Sequence, residues 1–408
     1  MTDLRRDTLL ECVWELRLRR ESNGEVTVWV GDESFRFGSH CLPVLGAFAQ
    51  TRSFQQGLDL LSSLASGPRD WIDLADTIAK LHLAGILRDP SSTGSPAPRP
   101  SGYDAARVHI AMLDDTQRTA RYLAAIREVV CPGDVVLDVG TGTGVLAVAA
   151  AQAGARRVYA VEASGIADRA AEMFQANDVA DRVTLIRGWS TQIELPERAD
   201  VLVSEMIGDE PLGERLLEMT LDARRRLLTP QARLVPNRVT VWGVPLEVDG
   251  KSWTRHVFTA ETTCAWTERY GVDFAALTRA EGRSLGRLAI NPFDTHDWST
   301  LSEPIPLAQI DLATFTAPIM RATSEATVTR SGQMNGLLVC FDAELSPAVR
   351  LSTLPWLVEP DNHWRSPIWL LNPTLSLRDG DRISVSYSYG VDGQEASVTV
   401  SCLEAAGQ

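Results

Sequence analysis

Residues 135–144 read Val-Val-Leu-Asp-Val-Gly-Thr-Gly-Thr-Gly, an apolar run that passes directly into a glycine-rich segment. The run is rich in β-branched side chains, which predicts a buried strand, and the apolar stretch from Gly144 to Gly154 predicts the helix that follows. Glycine adopts backbone conformations that other residues rarely enter, so a turn of this composition lets the main chain approach a bound nucleotide closely. The segment therefore predicts the strand, turn and helix that open a nucleotide-binding α/β domain.

The alternation of strands and helices continues along the chain. Further strands are predicted at Val158–Glu162, Val183–Gly188 and Ala199–Ser204, and further helices at Ile166–Asn177 and Leu216–Leu228. This order is typical of an open sheet with helices on both faces. We therefore expect an α/β, Rossmann-like domain over residues 103–237.

Helical patterns become rare after Pro236, and strand patterns replace them. Strands are predicted at Val239–Val244, Asn335–Leu345, Ile383–Tyr389 and Ala396–Cys402. A segment at about 264–297 departs from this pattern, because it has helical periodicity and several aromatic side chains. We expect a β-rich domain over residues 238–408 that carries this helical insertion.

Residues 89–102 are rich in proline, serine and glycine, which predicts a linker. Before it, alternating patterns predict three short strands, the first at Cys12–Arg19 with Trp14, Leu16 and Leu18 on one face. Three helices are predicted next, at Leu42–Phe48, Gly57–Leu64 and Trp71–Leu83. Residues 1–88 are therefore expected to form a small α+β domain.

The composition excludes several classes of protein. The 408-residue chain has a net charge of −14, which does not favour a nucleic-acid-binding surface and suits a cationic substrate. No apolar run approaches the roughly 18 residues of a membrane span, and the N-terminus lacks a signal-peptide core. The six cysteines are scattered without metal-ligand spacing, which predicts buried free thiols. We expect a cytoplasmic protein with no nucleic-acid or membrane partner.

The residues around the glycine-rich turn indicate which nucleotide it binds. Glu162, at the end of the second predicted strand, is placed to accept hydrogen bonds from ribose hydroxyl groups. The pattern formed by Asp138, Gly140, Gly142 and Gly144 favours S-adenosylmethionine over a dinucleotide, for which Gly-x-Gly-x-x-Gly is more typical. A tight turn that binds no ligand is the alternative.

Two glutamates flank a second loop. Glu205 follows the strand at Ala199–Ser204, and Glu214 lies nine positions later. A loop with a carboxylate at each end, beside a nucleotide pocket, is suited to bind a cation through charge-assisted hydrogen bonds. A solvated loop charge is the alternative for either glutamate alone. The pair predicts methyl transfer to a cationic nitrogen.

Several motifs, in order, resemble the protein arginine N-methyltransferase family over about residues 103–400. The family's double-carboxylate loop, Ser-Glu-x-x-Gly with a second Glu nine positions after the first, matches residues 204–208 and Glu214. Its Thr-His-Trp loop matches residues 362–364, with Asn362 in place of Thr. Residues 235–238 resemble its bridge into a β-barrel, and the insertion at 264–297 resembles its dimerisation arm. Its N-terminal helix pattern matches His109, Met112, Leu113, Asp115, Arg118 and Thr119.

The resemblance implies S-adenosyl-L-methionine as the cofactor and S-adenosyl-L-homocysteine as the product. Arg118 would bind the cofactor carboxylate, with a surface salt bridge as the alternative, and Thr191 would lie near the adenine amino group in place of an acidic residue. The implied cofactor-binding set is His109, Arg118, Asp138, Gly140, Gly142, Gly144, Glu162 and Thr191.

The resemblance also implies roles in catalysis. Glu205 and Glu214 would hold and orient the acceptor nitrogen. His363 would pair with Asp115, which joins the β domain to the N-terminal helix and offers a route for the released proton. Simple packing is the alternative for His363, as it is for Met112 and Trp364. The implied substrate-binding residues are Met112, Trp364, Tyr103 and Asn362.

Two departures from the family leave the acceptor open. The family's Tyr-Phe-x-x-Tyr helix keeps only Tyr103, because Arg99 and Pro100 occupy its first two positions. Together with Asn362, this change leaves room for a primary amine as well as an arginine guanidinium.

Residues 1–88 resemble the winged-helix element with which ribosomal-peptide modification enzymes bind the leader segment of a precursor. The resemblance rests on three strands followed by three helices and on the ending at residues 83–87, Leu-Ala-Gly-Ile-Leu. The family resemblance implies a homodimeric N-methyltransferase, and the resemblance of residues 1–88 implies that it acts on a ribosomally synthesised precursor peptide. The alternatives are methylation of a free small-molecule amine or arginine, with residues 1–88 purely structural, and a non-catalytic scaffold.

Overall fold

The computed structural model describes residues 6–12, 16–20, 25–30, 33–65, 67–88, 90, 103, 105–279, 286–391 and 396–403. These residues form two compact units, Met1–Val108 and His109–Gln408. The predicted linker at 89–102, except for Pro90, lies outside the described residues, as does Trp14. No helix in the described part of the chain is long and apolar enough to cross a membrane.

The first unit contains two small sheets and three helices. Strands β2, β3 and β4 form an antiparallel meander, and β5, β1 and β6 form a second antiparallel sheet. The buried side chains include Leu10, Val28, Phe48 and Ile78. The element bounds are β1 Leu9–Cys12, β2 Arg17–Arg20, β3 Val26–Val30, β4 Glu33–Phe37, α1 Cys41–Ala47, β5 Arg52–Ser53, α2 Phe54–Leu61, α3 Pro68–Leu83 and β6 Leu87–Arg88.

The first unit corrects one sequence prediction. The single strand expected at Cys12–Arg19 is divided between β1 and β2, which belong to different sheets. Leu18, which the alternation places on one face with Trp14 and Leu16, is exposed. The sheet around β1 was not predicted, because its partner strands β5 and β6 have only two residues each and give no alternating pattern.

The predicted α/β sheet is confirmed. Its five strands are all parallel, in the order β11-β10-β7-β8-β9. Because parallel strands end at the same edge, the loops that follow β7, β8 and β10 lie together. The bounds are α4 Ala106–Asp114, α5 Thr116–Val129, β7 Val135–Val139, α6 Val145–Gln152, β8 Arg157–Glu162, α7 Ala167–Ala176, β9 Val183–Arg187, β10 Ala199–Ser204, α8 Leu216–Arg226 and β11 Leu228–Val235.

The rest of the second unit is rich in antiparallel strands, as predicted. One sheet has the order β13-β19-β17-β12-β14, with β15 also paired to β12 and β18 to β17, and a smaller sheet has the order β16-β20-β21. The strands are β12 Arg238–Glu247, β13 Arg287–Ile290, β14 Ser299–Thr300, β15 Ile305–Asp311, β16 Met320–Thr327, β17 Gly332–Glu344, β18 Arg350–Ser352, β19 Ser366–Leu377, β20 Arg382–Tyr389 and β21 Ala396–Leu403.

The helical insertion has different bounds from those predicted. Its helices are α9 Gly250–His256, α10 Ala260–Tyr270 and α11 Ala276–Arg279, whereas residues 287–290 form β13 and pair with β19. The insertion therefore starts earlier and ends earlier than the predicted segment at 264–297. Asp249 and Thr259 set its helix starts, because their side chains accept hydrogen bonds from the first-turn amides of α9 and α10.

Candidate functional site

The turn after β7 is built for close backbone approach. Gly140, Gly142 and Gly144 have positive φ angles of +72°, +56° and +85°, which side chains disfavour. At Gly144 a Cβ atom would also lie 2.5 Å from the ring of Phe174. Glycine is therefore required at this turn.

The carboxyl group of Asp138 lies at the base of this turn. The hydroxyl of Thr141 donates to its Oδ2 at 2.6 Å, and the side chain is completely buried. Burial raises the pKa of Asp138 to about 7, and the nearby Glu162 carboxylate acts in the same direction. Asp138 therefore stabilises the turn through its hydrogen bond with Thr141.

Glu162 lies at the end of β8, beside the turn. Its Oε2 accepts the Gly142 N–H and its Oε1 accepts the Ser164 N–H, both at 2.8 Å. A carboxylate oxygen has two lone pairs, so each oxygen can accept a further hydrogen bond from a ligand hydroxyl. The ring of buried His109 is close enough to pack against Gly142, since a Cβ there would be 3.5 Å from it. The structure thus brings His109, Glu162 and the glycine turn together.

Glu205 follows β10 directly and is paired with Arg118. The Arg118 Nε donates to Glu205 Oε2 at 3.0 Å, and Arg118 Nη2 contacts the same oxygen. Both side chains are buried, with 9% and 6% exposed. Burial lowers the pKa of Arg118, but Glu205, together with Tyr122 and Asp115, leaves the pKa above its usual value, so the guanidinium stays charged. Arg118 Nη1 also donates to the carbonyl oxygen of Met112 at 3.2 Å.

Glu214 lies at the end of the same loop, two residues before α8 begins. Its side chain folds against Gly208, where a Cβ atom would be 3.0 Å from Glu214 Cγ and 3.4 Å from Oε1. The next residue, Arg215, has a φ of +61°, a left-handed conformation that costs a non-glycine residue roughly 1–2 kcal/mol. The loop therefore holds a strained residue immediately after its second carboxylate.

His363 and Asp115 are hydrogen-bonded across the second unit. His363 Nδ1 lies 3.0 Å from Asp115 Oδ2, and the backbone N–H of His363 donates to the same oxygen at 3.1 Å. The other oxygen, Oδ1, accepts a hydrogen bond from the backbone N–H of Arg118 at 2.9 Å and so caps the N-terminus of α5. One carboxylate thus fixes the start of α5 to the loop that carries His363.

Trp364 connects that loop to the carboxylate loop. Its Nε1 donates to the Ile207 carbonyl at 2.6 Å, its ring is 3% exposed, and the Arg118 guanidinium lies 6.0 Å from the ring centroid. Asn362 donates to the Trp364 carbonyl at 2.9 Å and is also hydrogen-bonded to Asn291. These Asn362 contacts support the loop.

Two of the predicted site residues have exposed side chains. Thr191 is exposed in a short 3₁₀ turn, Ser190–Gln192. Tyr103 belongs to the first unit and is 47% exposed. Their assignments to the adenine site and the acceptor pocket stay predictions.

The structure adds contacts of two acidic residues that no sequence motif indicates. The Arg365 N–H donates to Asp209 Oδ1 at 2.7 Å, and the Tyr387 hydroxyl donates to Glu210 Oε1 at 2.9 Å. Asp209 and Glu210 lie between the two glutamates of the loop. The acidic pair was visible in the sequence, but its partners lie more than 150 positions away and follow no motif.

Comparisons with known proteins agree with this geometry. Residues 115–229 match the family model for ribosomal protein L11 methyltransferase, and residues 255–397 match the arginine methyltransferase oligomerization subdomain. Protein arginine N-methyltransferase PRMT10 of Oryza sativa subsp. japonica is 33% identical over 283 residues, which cover 63% of this chain and 73% of that protein. Protein arginine N-methyltransferase 6 of Danio rerio is 32% identical over 294 residues, with coverages of 69% and 81%.

Two further similarities extend the comparison. An arginine N(omega)-methyltransferase of Streptomyces achromogenes subsp. streptozoticus is 28% identical over 337 residues, covering 81% of this chain and 88% of that protein. The solved Trypanosoma brucei PRMT1 enzyme-prozyme heterotetrameric complex with AdoHcy aligns with a TM-score of 0.63 and 26% identity, covering 74% of this chain and 95% of the matched one.

Proposed function

Because the chain belongs to the protein arginine N-methyltransferase family and is an S-adenosylmethionine-dependent N-methyltransferase, we propose that its acceptor is a guanidinium nitrogen of arginine. The observation that carries this proposal is the contact between the two loops. The side chain of Met206, next to Glu205, lies 3.6 Å from the position of a Cβ atom on Gly140. The cation-binding carboxylate therefore adjoins the cofactor turn.

The residues at the glycine turn fit the cofactor. A Cβ atom on Gly142 would lie 3.5 Å from the His109 ring. Glycine at this position therefore leaves space for a ligand that a larger residue would occupy. Glu162 would accept the ribose hydroxyls, and Arg118 would pair with the cofactor carboxylate, for which a planar guanidinium is well suited. When bound, S-adenosylmethionine supplies an activated methyl group on a sulfonium and leaves as S-adenosylhomocysteine.

The two glutamates would hold the acceptor. Charge-assisted hydrogen bonds from Glu205 and Glu214 would fix the plane of the guanidinium, so that positioning supplies much of the rate enhancement. If His363 donates from Nδ1 to Asp115, its Nε2 is the free acceptor and can take the proton that the nitrogen releases. Asp115 would thus select the tautomer that the reaction needs.

Product analysis tests the acceptor. The full-length protein is incubated with S-adenosylmethionine and an arginine-containing peptide, and fragment masses locate the added methyl group. We expect it on the arginine side chain. A methyl group found only on the peptide's amino terminus or on lysine contradicts a guanidinium acceptor.

We also propose that the acceptor belongs to a ribosomally synthesised precursor peptide whose leader binds the first unit. The β2-β3-β4 meander followed by helices α1, α2 and α3 supports this proposal, whereas β1, β5 and β6 are additions to the predicted order. Strand β2 pairs only with β3 among the described residues, and all four of its residues are exposed. It carries Arg17, Arg19 and Arg20 in a chain whose net charge is −14. An acidic, extended leader would add a strand at this basic edge.

Free arginine is the second candidate acceptor. The match to the Streptomyces arginine N(omega)-methyltransferase covers 81% of this chain, more than the second unit alone contains, so it extends into the first unit. If free arginine is the acceptor, the first unit has a structural role and binds no leader peptide. Steady-state kinetics separate the two candidate acceptors. The substrates are free L-arginine, an arginine peptide with an acidic leader, and the same peptide without the leader. A kcat/KM for free arginine at least equal to that for the leader peptide favours this candidate.

The helical insertion is proposed as the contact of a homodimer. Phe258, Tyr270 and Val272 are more than half exposed, and Trp266 and Phe274 pack edge-on beside them. The family model for an oligomerization subdomain covers these residues. We expect a dimer by light scattering and a monomer after Tyr270→Glu. A wild-type monomer at micromolar concentration contradicts the dimer.

A reducing cytoplasm is the proposed location. All six cysteines are free. Only Cys41 and Cys340 are buried, whereas Cys131, Cys264 and Cys402 are exposed, so the expectation of buried thiols was only partly right. Burial raises the pKa of Cys41 to about 11 and that of Cys340 to about 12, which keeps both thiols protonated and unreactive.

A further inference from the structure

The loop between the two glutamates contains a third, buried carboxylate. Glu210 is 6% exposed, and its Oε1 accepts a hydrogen bond from the Tyr387 hydroxyl at 2.9 Å. Tyr387 lies on β20 and is 1% exposed. A buried carboxylate is costly unless it is hydrogen-bonded, so this contact matters for the conformation of the loop.

The backbone of Glu210 packs directly against the neighbours of Glu214. The Gly213 N–H donates to the Glu210 carbonyl at 2.7 Å. A Cβ atom on Gly213 would lie 3.1 Å from that carbonyl oxygen, and one on Gly208 would lie 3.2 Å from it. Because Gly208 also adjoins the Glu214 side chain, a displacement of Glu210 would be transmitted to Glu214.

Tyr387 is a fixed donor. Burial raises its pKa well above the usual value for tyrosine, and the Glu210 carboxylate raises it further. The phenol therefore keeps its proton and donates to Glu210 at any working pH. Both residues belong to the same compact unit, so the contact joins the β domain to the carboxylate loop.

We propose that the hydrogen bond from Tyr387 to Glu210 is a positioning contact that places Glu214 for methyl transfer. This inference rests on the proposed function, because it requires Glu214 to bind the acceptor. Neither Tyr387 nor Glu210 needs to touch the acceptor or the cofactor. Their effect is exerted through the backbone of residues 208–214.

A matched pair of tyrosine variants tests the inference. Tyr387→Phe removes only the hydroxyl, and Tyr389→Phe removes the same group two residues along β20, where it lies 3.4 Å from Glu218 outside the loop. With an arginine peptide as acceptor, we expect Tyr387→Phe to lower kcat about tenfold or more, the size expected for one lost hydrogen bond to a charged group. Cofactor affinity by calorimetry should not change. Tyr389→Phe should retain the wild-type kcat, and equal losses in both variants contradict the inference.

Rescue and hydrogen exchange complete the test. Glu210→Gln keeps an oxygen that accepts from Tyr387, so it should lose much less activity than Glu210→Ala. If the two lose equally, the hydrogen bond does not position the loop. The Gly213 amide should exchange faster in Tyr387→Phe than in Tyr389→Phe, a result that needs no turnover. An inactive wild-type protein would contradict the proposed function, whereas an unchanged Gly213 exchange rate would contradict the positioning contact.

Discussion

The glycine turn at 140–144 and the carboxylate loop at 205–214 follow neighbouring strands of one sheet, but they are held in different ways. Residues close in the chain support the turn: Thr141 bonds Asp138, and Gly142 bonds Glu162 across 20 positions. The carboxylate loop is held from the β domain, by contacts from Trp364, Arg365 and Tyr387 that span 157, 156 and 177 positions.

This difference predicts that cofactor binding and acceptor handling can be changed separately. Substitutions around the glycine turn should alter cofactor affinity first. Substitutions in the carboxylate loop, or in the β-domain residues that hold it, should alter turnover while the cofactor still binds. The ion pair between Arg118 and Glu205 is the exception, because Arg118 is assigned to the cofactor and Glu205 to the acceptor.

The largest effect is expected from Glu214→Gln. It removes a charge that holds the acceptor, so turnover should fall by about two orders of magnitude or more, as when a preorganised electrostatic contact is lost. Cofactor affinity by calorimetry should stay at the wild-type value. A near-normal rate on an arginine peptide that the wild type methylates would rule out the cation-binding role.

Glu205→Gln is the informative control for that variant. It should lose turnover to a similar extent, but it also leaves the buried Arg118 guanidinium without its carboxylate. Breaking a buried ion pair costs about 3–5 kcal/mol, so only Glu205→Gln should also lower the melting temperature clearly. Equal melting temperatures would mean that the pair contributes little to stability.

A smaller effect, confined to the other loop, is expected from Glu162→Ala. It removes the carboxylate assigned to the ribose, so cofactor affinity should fall about tenfold or more, as expected for lost hydrogen bonds to a charged group. Calorimetry against Glu214→Ala is the measurement. If both variants lose cofactor affinity equally, cofactor binding is not a separate function of the glycine turn.

The same contrast explains how much of the fold the sequence predicts. Strands β7 and β10 have the predicted bounds, because each is a continuous apolar run. Strand β19 is missed because Pro367 and Pro373 argue against a central strand. Strand β16 is missed because, after Met320, its more buried face carries only small side chains, so its alternation is faint.

The residues of the candidate site also fall into two groups, those in local sequence motifs and those joined by contacts between distant segments. The glycine turn, Glu162 and the paired glutamates belong to local motifs and can be read from the chain. The contacts of Glu210 with Tyr387 and of Asp209 with Arg365 cannot, because they join segments more than 150 positions apart without any periodicity. Only the folded β domain brings them together.

A pH effect on stability is expected from the buried carboxyl group at the glycine turn. Burial raises the pKa of Asp138 from 3.8 to about 7, so the folded protein binds this proton more tightly than the unfolded chain does. The free energy of unfolding should therefore fall as pH rises from about 4 to 7, by a few kcal/mol, and level off above that range. In Asp138→Asn this contribution should disappear, as denaturant unfolding at several pH values would show. Parallel curves for both proteins would contradict the raised pKa.

The smallest effect is expected from the first unit, where the double variant Arg17→Glu and Arg20→Glu reverses the charge of β2. Both side chains are exposed, and single exposed charge pairs contribute only about 0.2–1 kcal/mol, so KM for an arginine peptide with an acidic leader should rise only a few-fold. The rise should shrink with added salt, because exposed charges are screened. Free arginine, the leaderless peptide and cofactor affinity should be unaffected, since neither loop of the second unit is altered. An equal loss on free arginine would assign β2 a structural role, and an unchanged KM for the leader peptide would remove β2 as the docking edge.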